Sequence, residues 1–401
     1  MSPRLKLRVS PAAESAVRSG HPWVYGDSLR EQNRPGSLGE YAVIYDRQDR
    51  FLAIGLFDPD SPLRVRILHV GKPVVLDENW WRQHLRITLH RREGLFDERT
   101  NGYRCIYGES DGWPGLVLDR YAGTYVMKLY TGAWLSRLPE LISLIEAELH
   151  PEQLILRLSR NMQVVAKVGG WTDGKPLISR DIGALRSTVV FEETGIRFEA
   201  EVVQGQKTGF FLDQRENRQF IESVAKGAEV LNAFSFSGGF SLYAARGGAI
   251  SVTDLDISAH ALESAQRNVA LNRHIPEIAA CRFEQIQCDA FEWLARGPRR
   301  EFEVVILDPP SLARRELERA GAVEAYGRLA MSGIQRVRPG GLLFAASCSA
   351  HVSEAEFFEG VRQAARDSGR LFREIKTVGH PADHPVRFAE AGYLKGIYLR
   401  F

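Results

Sequence analysis

The sequence lacks the features of a membrane, secreted or metal-bound protein. It contains no apolar run near the roughly 20 residues that a membrane-spanning helix needs. Its basic start, MSPRLKLRV, is followed by no apolar segment, so a secretory signal is not expected. The four cysteines, Cys105, Cys281, Cys288 and Cys348, include no C-x-x-C pair. This argues against a zinc site or a disulfide framework and predicts a reducing, cytoplasmic setting without a membrane partner.

The sequence also lacks a strong charge of either sign. Its 52 Lys and Arg against 50 Asp and Glu give a formal net charge of +2, so the total charge reveals no anionic partner. Locally, residues 1–72 carry 11 basic and 8 acidic residues, and 82-RQHLRITLHRREG-94 is a basic run. A solvated helix face is the commoner explanation of such a run. The composition is typical of a soluble globular protein, and 401 residues predict two or three domains.

Three blocks that differ in their residue patterns predict the domain organisation. Residues 1–74 predict a small all-β domain, because short β-like segments alternate with Gly, Pro and Asp. Residues 75–185 predict an α+β middle domain, and residues 186–401 alternate strands and helices as in a doubly wound parallel sheet. The elements expected in the first two blocks are strands over 41–45, 51–57 and 63–70, a helix over 80–94, a hairpin over 115–130, a helix over 136–149, and strands over 153–157 and 163–168.

The third block predicts a Rossmann-like α/β fold. Its last two strands leave no room for a helix between them, so we expect an antiparallel hairpin to close the sheet. Ser258 is placed to cap the helix that follows the second strand. Seven strands with that ending are the arrangement of class I methyltransferases. The predicted strands are 229–234, 249–255, 281–288, 304–307, 342–346, 372–378 and 394–399.

A small-residue turn follows the first of these strands. The stretch 230-VLNAFSFSGGFSLYAA-245 predicts a strand, a tight turn and a helix start. Gly238 and Gly239 would let the backbone approach a ligand closely, and a helix N-terminus favours polar or anionic groups. A glycine-rich packing turn explains the stretch equally well when it is taken alone. It is not G-x-G-x-x-G, so the dinucleotide fingerprint is absent.

Acidic residues end the next three strands. The second strand ends in Asp254-Leu255-Asp256, Asp289 follows the third strand, and Asp308 of the stretch Asp-Pro-Pro-Ser follows the fourth. Each acid alone is more often a solvated loop residue or a helix cap. Together they predict a nucleoside-bearing cofactor at the carboxyl edge of the sheet, with an acid at the end of the second strand placed to bind the ribose hydroxyls and Asp289 placed to bind an exocyclic amine such as that of adenine. Since a P-loop is also absent, S-adenosylmethionine is the best candidate.

The stretch 341-GLLFAASCSAH-351 predicts a buried strand that ends in Ser347-Cys348-Ser349. Free cysteine is among the most buried residue types, so Cys348 taken alone is more often a small core residue. The fifth strand should, however, lie beside the fourth, so that Cys348 and Asp308 flank one pocket. That placement favours a nucleophile. The other three cysteines are interpreted as packing residues.

The chain resembles the bacterial large-subunit ribosomal RNA (cytosine-carbon-5) methyltransferase I family. The similarity runs in one order along essentially the whole sequence. Two upstream segments resemble that family's RNA-binding PUA domain and its central connecting domain, and the remainder resembles its methyltransferase domain. The matching segments are 20-GHPWVYGDSL-29, 107-YGESDGWPGLVLDRY-121, 207-KTGFFLDQRENR-218, 231-LNAFSFSGGF-240, 308-DPPS-311, 346-ASCS-349, 381-PADHP-385 and 393-YLKG-396.

The resemblance implies S-adenosylmethionine as cofactor and ribosomal RNA as partner. A target base must leave its stack to reach the pocket, so free or partly assembled large-subunit RNA is expected. A homodimer is compatible with the sequence, which does not determine the oligomeric state. The residues that the resemblance places at the cofactor are Lys207, Gly209, Phe210, Asp213 and Arg215 of a covering motif, Asn232, Phe234, Ser235 and Gly238 of the methionine-side loop, Asp256 at the ribose, Asp289 at adenine, and Asp308.

The implied chemistry begins with a thiolate. Carbon 5 of a pyrimidine is a poor nucleophile, and addition of Cys348 at carbon 6 would activate it. Asp308 would assist by protonating or hydrogen-bonding ring nitrogen 3. Many RNA cytosine-carbon-5 methyltransferases have a second cysteine where this sequence has Ser311. The sequence does not identify the base that removes the carbon 5 proton.

Three alternatives stay open at this point. The thiol mechanism serves uracil as well as cytosine. Asp-Pro-Pro acids also bind purine amines, although those sites usually continue with an aromatic residue where this chain has Ser311. A non-catalytic RNA-binding protein is the third alternative. The stretch 380-HPADHP-385 either shapes the pocket or is a structural turn, and the two are about equally expected.

Overall fold

The computed structural model describes residues 4–180 and 185–401. The chain divides into two compact units, each built from segments that are distant in sequence. The predicted domain boundaries at 74/75 and 185/186 stay predictions. The second boundary adjoins residues 181–184, which lie outside the described part. The first unit comprises Met1–Glu192, Ala200–Phe210 and Ala382–Ala389, and the second comprises Glu193–Glu199, Phe211–Pro381 and Glu390–Phe401.

A six-stranded sheet opens the first unit. Its strands are β1 (Leu5–Val9), β2 (Trp23–Tyr25), β3 (Leu29–Gln32), β4 (Tyr41–Tyr45), β5 (Phe51–Phe57) and β6 (Leu63–Val70). The order is β2-β6-β5-β4-β1-β3, and β1 with β4 is a parallel pair among otherwise antiparallel neighbours. Strands β4 to β6 have the predicted bounds. The sequence reading missed helix α1 (Pro11–Arg18), which the Ser10 hydroxyl caps by accepting the Ala13 N–H.

A five-stranded sheet with three helices follows in that unit. The elements are α2 (Glu78–His90), β7 (Gly102–Tyr107), β8 (Leu116–Tyr121), β9 (Thr124–Leu129), α3 (Leu138–Leu149), β10 (Gln153–Leu158), α4 (Met162–Val168) and β11 (Pro176–Ser179). The order is β11-β10-β9-β8-β7, and α3 connects the parallel pair β9 and β10. The core contains Trp81, Trp113 and Trp134. Glu109 ties the two sheets of this unit together, because Arg66 and the indole of Trp23 both donate to it.

The predicted strand over 163–168 is wrong, because the structure has helix α4 there. The valines of this segment favour a strand by propensity. Met162 and Ala166, four residues apart, are nevertheless buried, whereas Val164 and Val168 are 76% and 93% exposed. That spacing buries one side of a helix and leaves the valines in solvent. The strand that pairs with β10 on the side away from β9 is instead β11, which begins eight residues after the end of the predicted strand.

The second unit contains a seven-stranded sheet. Its strands are β14 (Glu229–Ala233), β15 (Ser251–Asp256), β16 (Arg282–Gln287), β17 (Phe302–Leu307), β18 (Val337–Ser347), β19 (Arg373–Val378) and β20 (Lys395–Arg400). A separate two-stranded hairpin, β12 (Thr188–Glu193) and β13 (Ile196–Glu201), precedes them in the chain, and its residues are divided between the two units. The order is β16-β15-β14-β17-β18-β20-β19. The first five strands are parallel, and β20 pairs antiparallel with both β18 and β19. This confirms the predicted Rossmann-like fold with its antiparallel C-terminal hairpin.

Helices pack against this sheet, and its parallel strands end at one common edge. A buried cluster joins β17 and β18 to three of them through Trp293, Tyr326 and Phe357. Because neighbouring parallel strands end at the same edge, the residues that follow β14 to β18 come together there. No helix of the described residues is both long enough and apolar enough to cross a bilayer. The helices are α5 (Arg215–Val224), α6 (Gly239–Arg246), α7 (Ala259–Leu271), α8 (Pro276–Ala280), α9 (Ala290–Arg296), α10 (Arg319–Ile334) and α11 (Glu354–Asp367).

Candidate cofactor and nucleophile site

The turn between β14 and α6 has an unusual backbone. Phe234 and Phe236 have φ angles of +62° and +48°, a region that bulky side chains rarely occupy. Gly238 precedes the helix with φ +76°, and a Cβ there would lie 3.0 Å from the Cβ of Ala265. Two phenylalanines in the left-handed region cost free energy that the surrounding structure must supply, and such residues cluster at functional sites.

Buried polar atoms at this turn fit a polar ligand. Asn232 Oδ1, Ser235 Oγ and Ser237 Oγ are buried and have no hydrogen-bond partner within the described residues. The amide nitrogen of Asn232 donates to Ser241 Oγ at 2.8 Å, which fixes the orientation of the amide. A buried polar atom without a partner costs about 1–3 kcal/mol. The ammonium and carboxylate groups of an S-adenosylmethionine amino-acid end could satisfy these atoms.

Two acids at the end of β15 have different environments. Asp254 is 1% exposed and accepts a hydrogen bond from Ser241 Oγ at 2.5 Å, and its burial raises its pKa to about 7. Asp256 is half-buried and accepts the backbone N–H groups of Phe236 at 2.8 Å and Ser258 at 2.9 Å. Asp256 therefore anchors the β14–α6 turn. Each of its oxygens keeps a second lone pair that could accept a ribose hydroxyl. Ser258 also caps α7, as predicted.

Asp289 has a structural role in addition to the predicted one. Its Oδ1 atom caps α9 by accepting the N–H groups of Phe291 at 2.8 Å and Glu292 at 3.2 Å. The residue is exposed at the end of β16, on the same sheet edge as Asp256. The rings of Phe234 and Phe291 pack edge to face with centroids 5.2 Å apart. This edge therefore presents a carboxylate beside apolar rings.

The residues of the predicted covering motif fall into both units. Lys207, Gly209 and Phe210 belong to the first unit, and the motif from Asp213 onward belongs to the second. Lys207 has φ +52°, and its carbonyl oxygen accepts a hydrogen bond from Lys128 Nζ at 2.9 Å. Phe210 is buried.

In the second unit, the motif residues contact segments that are distant in the sequence. Asp213 Oδ2 accepts the Tyr393 hydroxyl at 2.6 Å. Arg215 is buried against the equally buried carboxylate of Glu193, with Nε 3.1 Å from Oε2. An ion pair of this kind orders the motif.

Asp308 ends a chain of oriented side chains. Gln214 Nε2 donates to Asp308 Oδ1 at 2.9 Å, and Gln214 Oε1 accepts from Asn217 Nδ2 at 2.6 Å. Asn217 Oδ1 in turn accepts the Tyr398 hydroxyl at 3.0 Å. Burial, together with the charge of Asp308, raises the pKa of Tyr398 well above its ordinary value, so Tyr398 remains a donor. Both amides consequently have one orientation, and Asp308 has a fixed N–H donor.

Cys348 lies beside the loop that begins at Asp308. Strands β17 and β18 are parallel neighbours with Leu307 opposite Ala345, so the residues that follow them emerge together. The half-buried thiol of Cys348 donates to the carbonyl oxygen of Pro309 with Sγ 3.9 Å away. The predicted nucleophile and the predicted acid are thereby on adjacent segments of one edge.

The other cysteines lie in different surroundings. Cys105 and Cys281 are buried, and burial raises their pKa values to about 12 and about 11. Burial also raises the pKa of Cys288, which is half-buried at the end of β16. Raised pKa values suppress the thiolate that nucleophilic chemistry requires. These environments suit packing residues.

Sequence reasoning missed the side chains that support the site. Asn217 and Tyr398 orient Gln214 from different elements, and no local pattern reveals such a contact. Ser237 Oγ, like Ser235 Oγ, is buried and lacks a hydrogen-bond partner in the described part of the chain, but the family resemblance indicated only Ser235 as a cofactor residue. Ser237 lies between two residues with positive φ, Phe236 and Gly238. Residue types alone do not predict this backbone conformation.

Comparisons with known proteins agree with this geometry. A family profile described as S-adenosylmethionine-dependent methyltransferase matches residues 159–400, and a PUA-like domain profile matches residues 7–69. The chain is 57% identical to a Deinococcus radiodurans protein named Ribosomal RNA large subunit methyltransferase, over 100% of this chain and 98% of that protein. It is 33% identical to Ribosomal RNA large subunit methyltransferase I of Shewanella denitrificans, over 99% of each.

Solved structures show the same fold over the whole chain. A putative methyltransferase complexed with SAH matches with a TM-score of 0.82 and 20% identity, covering 99% of this chain and 100% of that one. A putative S-adenosylmethionine-dependent methyltransferase from Streptococcus mutans matches with a TM-score of 0.80, also at 20% identity and with the same coverage. The fold and the site thus define an S-adenosylmethionine-dependent methyltransferase with a PUA-like domain. Within that class, the chain belongs to the ribosomal RNA large subunit methyltransferase I family.

Proposed function

We propose that this protein methylates carbon 5 of a cytosine in large-subunit ribosomal RNA through a transient bond between Cys348 and ring carbon 6. The observation that carries the proposal is the placement of Cys348 against the Pro309 carbonyl, one residue from Asp308. The names of the curated relatives support ribosomal RNA as the substrate. We further propose that residues 1–74 bind RNA, 75–185 connect, and 186–401 catalyse. Cytoplasmic location remains a prediction.

Bound S-adenosylmethionine would supply the electrophilic methyl group. Asn232, Ser235 and Ser237 are suited to its amino-acid end because their buried polar atoms need partners. Asp256 would accept the ribose hydroxyls, and Asp289 the adenine amine. The resemblance described above supports a covering role at the cofactor for Lys207, Gly209, Phe210, Asp213 and Arg215.

Cys348 and Asp308 would have different roles in the reaction at the target cytosine. The Cys348 thiolate would add to carbon 6, which makes carbon 5 an enamine-like nucleophile. Asp308, in its protonated form, would donate a hydrogen bond or its proton to ring nitrogen 3 and so neutralise the charge that develops there on addition, with Gln214 holding the carboxyl in place. After methylation, loss of the carbon 5 proton to a base would allow the Cys348 sulfur to leave and would restore the aromatic ring.

Release of the product would involve a single thiol. Ser311 stands where many such enzymes have a second cysteine, and its hydroxyl donates to the Ala313 carbonyl at 3.0 Å. Ser311 Oγ also lies 3.1 Å from Ser349 Oγ. These contacts suit a loop-fixing residue better than an acid or base.

The test is nucleoside mass spectrometry of ribosomal RNA from cells that lack this gene, treated with S-adenosylmethionine and protein. Wild type should form 5-methylcytosine, and Cys348→Ala should form none while still binding S-adenosylhomocysteine. Cys288→Ala is the matched control, because Cys288 is equally half-buried and should leave the product unchanged. Equal product from wild type and Cys348→Ala would refute the thiol mechanism.

Other products identify the alternatives. A 5-methyluracil product would make uracil the substrate, and a methylated purine would indicate amine methylation. RNA binding without any product would leave a non-catalytic binding protein. RNA that carries 5-fluorocytidine adds a direct readout, because carbon 5 then has no proton to lose. A covalent complex should accumulate with wild type and be absent with Cys348→Ala.

A further inference from the structure

Lys395, the first residue of β20, places an ammonium group inside the second unit. Lys395 is only 2% exposed. The ammonium donates to the carbonyl oxygen of Ser349 at 2.7 Å and to that of Val352. Among the described residues, no carboxylate forms an ion pair with it. A buried ammonium without a carboxylate partner is costly, so its position calls for a reason.

Both of these carbonyl groups belong to the turn that carries Cys348. Lys395 lies opposite Ser347 in the antiparallel register of β18 and β20, so its side chain reaches the turn directly after the strand. The contact holds residues 349 and 352, which follow Cys348 in the chain. The turn is thus fixed from the β20 side.

Ser349 fixes the same turn from the opposite side. Its hydroxyl oxygen accepts the backbone N–H groups of Leu312 at 3.0 Å and Ala313 at 3.2 Å. It also lies 2.8 Å from the hydroxyl of Tyr326 on α10. Leu312 and Ala313 belong to the loop that begins at Asp308, so Ser349 links the nucleophile turn to the loop of the acid. Cys348 is held between these two sets of contacts.

The charges around the turn favour an interaction between Lys395 and Cys348. Burial lowers the pKa of Lys395, whereas Glu354, a Cys348 thiolate and Glu356 each raise it. Glu356 is already engaged by Arg319, and Glu354 is exposed, where solvent screens its charge. The remaining titratable groups near the turn are Tyr326 on α10, His351, which pairs with Glu316, and Asp308 after β17.

We propose that Lys395 is a positioning residue for the nucleophile, which holds the turn of residues 348–352 and supplies the buried positive charge beside which the Cys348 thiolate forms. This role rests on the proposed function, since it concerns the same cysteine. It explains why the ammonium is buried against carbonyl groups. It also distinguishes Cys348 from Cys105 and Cys281, for which burial is the largest cause of a raised pKa.

The test measures the thiol directly. In protein free of RNA and cofactor, the alkylation rate of Cys348 by iodoacetamide is followed against pH by mass spectrometry of its peptide. Lys395→Met removes the charge, Lys395→Gln removes the charge and keeps a donor, and Lys395→Arg keeps the charge. The neutral variants should move the midpoint upward by about one pH unit, which means about tenfold less thiolate near neutral pH. The arginine variant should stay near wild type.

Arg336 offers a matched control. It is buried directly before β18, whereas Cys348 directly follows that strand, and its guanidinium donates to the carbonyls of Trp293 and Leu294. Arg336→Met therefore removes a buried cation that holds carbonyl groups at the far end of the same strand. It should lower the melting temperature and leave the alkylation midpoint of Cys348 unchanged.

The outcomes separate this proposal from the proposed function. A wild-type midpoint in folded Lys395→Met or Lys395→Gln would overturn the role of Lys395, even if 5-methylcytosine forms. If neither neutral variant folds, a wild-type midpoint at or above the ordinary thiol value of about 8.5 would overturn it. Alkylation needs neither RNA nor a methyl donor, so a wrong assignment of the methylated base would leave the curve unaffected.

Discussion

Replacement of Asp256 by alanine tests the cofactor edge most directly. Its carboxylate accepts two backbone N–H groups, from Phe236 at 2.8 Å and Ser258 at 2.9 Å, and so joins the β14–α6 turn to the end of β15. In the proposed complex it also accepts the ribose hydroxyls. A hydrogen bond to a charged group contributes about 1.5–3 kcal/mol. Asp256→Ala would lose the two hydrogen bonds from the ribose hydroxyls. At the lower limit of that range, their loss costs about 3 kcal/mol of binding free energy, which corresponds to about 100-fold in Kd.

Asp256→Asn should have a smaller effect, about tenfold, because it keeps one acceptor oxygen and loses the charge. Titration calorimetry with S-adenosylhomocysteine measures both variants, and thermal unfolding shows whether they remain folded. Glu263→Ala is the control, since Glu263 is an exposed carboxylate on the neighbouring helix α7 and should leave Kd unchanged. A folded Asp256→Ala protein whose Kd lies within threefold of wild type would refute the assignment.

Three further changes test other parts of the site. Burial raises the pKa of Asp254 to about 7, so the folded state holds a proton that the unfolded state loses above about pH 4. Wild-type stability should then fall as pH rises from about 4 through 7, and urea unfolding of Asp254→Asn should lack that slope. Gln214→Leu removes the donor to Asp308 and should lower the single-turnover rate by about 10- to 100-fold. Gly238→Val, which forces a side chain against Ala265, should lower the melting temperature by several degrees, unlike Gly321→Ala in open space.

The end of β17 was predicted correctly, because this buried parallel strand leaves an apolar run with the polar Asp308 after it. Asp256 and Cys348 also lie at strand ends as expected, and the roles of all three residues stay predictions. The α4 segment was mispredicted because its valines are solvent-exposed, so their β propensity carried no information about packing. Which face is buried depends on neighbours that lie far away in the chain.

The supporting side chains could not be predicted for a related reason. Lys395 was visible only as part of a matching segment, and its contact with Ser349 spans 46 residues. Gln214 reaches Asp308 across 94 residues. Contacts of this length exist only once the sheet has formed, and local spacing does not encode them.

The contacts of Asp383 affect when the first unit can finish folding during synthesis. This residue is fully buried in the first unit, where its carboxylate accepts the N–H of Arg104 and its carbonyl accepts from Arg92. Arg104 precedes it by 279 residues. At about 5–20 residues per second, the ribosome needs roughly 15–55 s to supply the partner. The first unit therefore stays incomplete until residues 382–389 have been synthesised, and a messenger truncated before Asp383 would encode that unit with an unsatisfied interior.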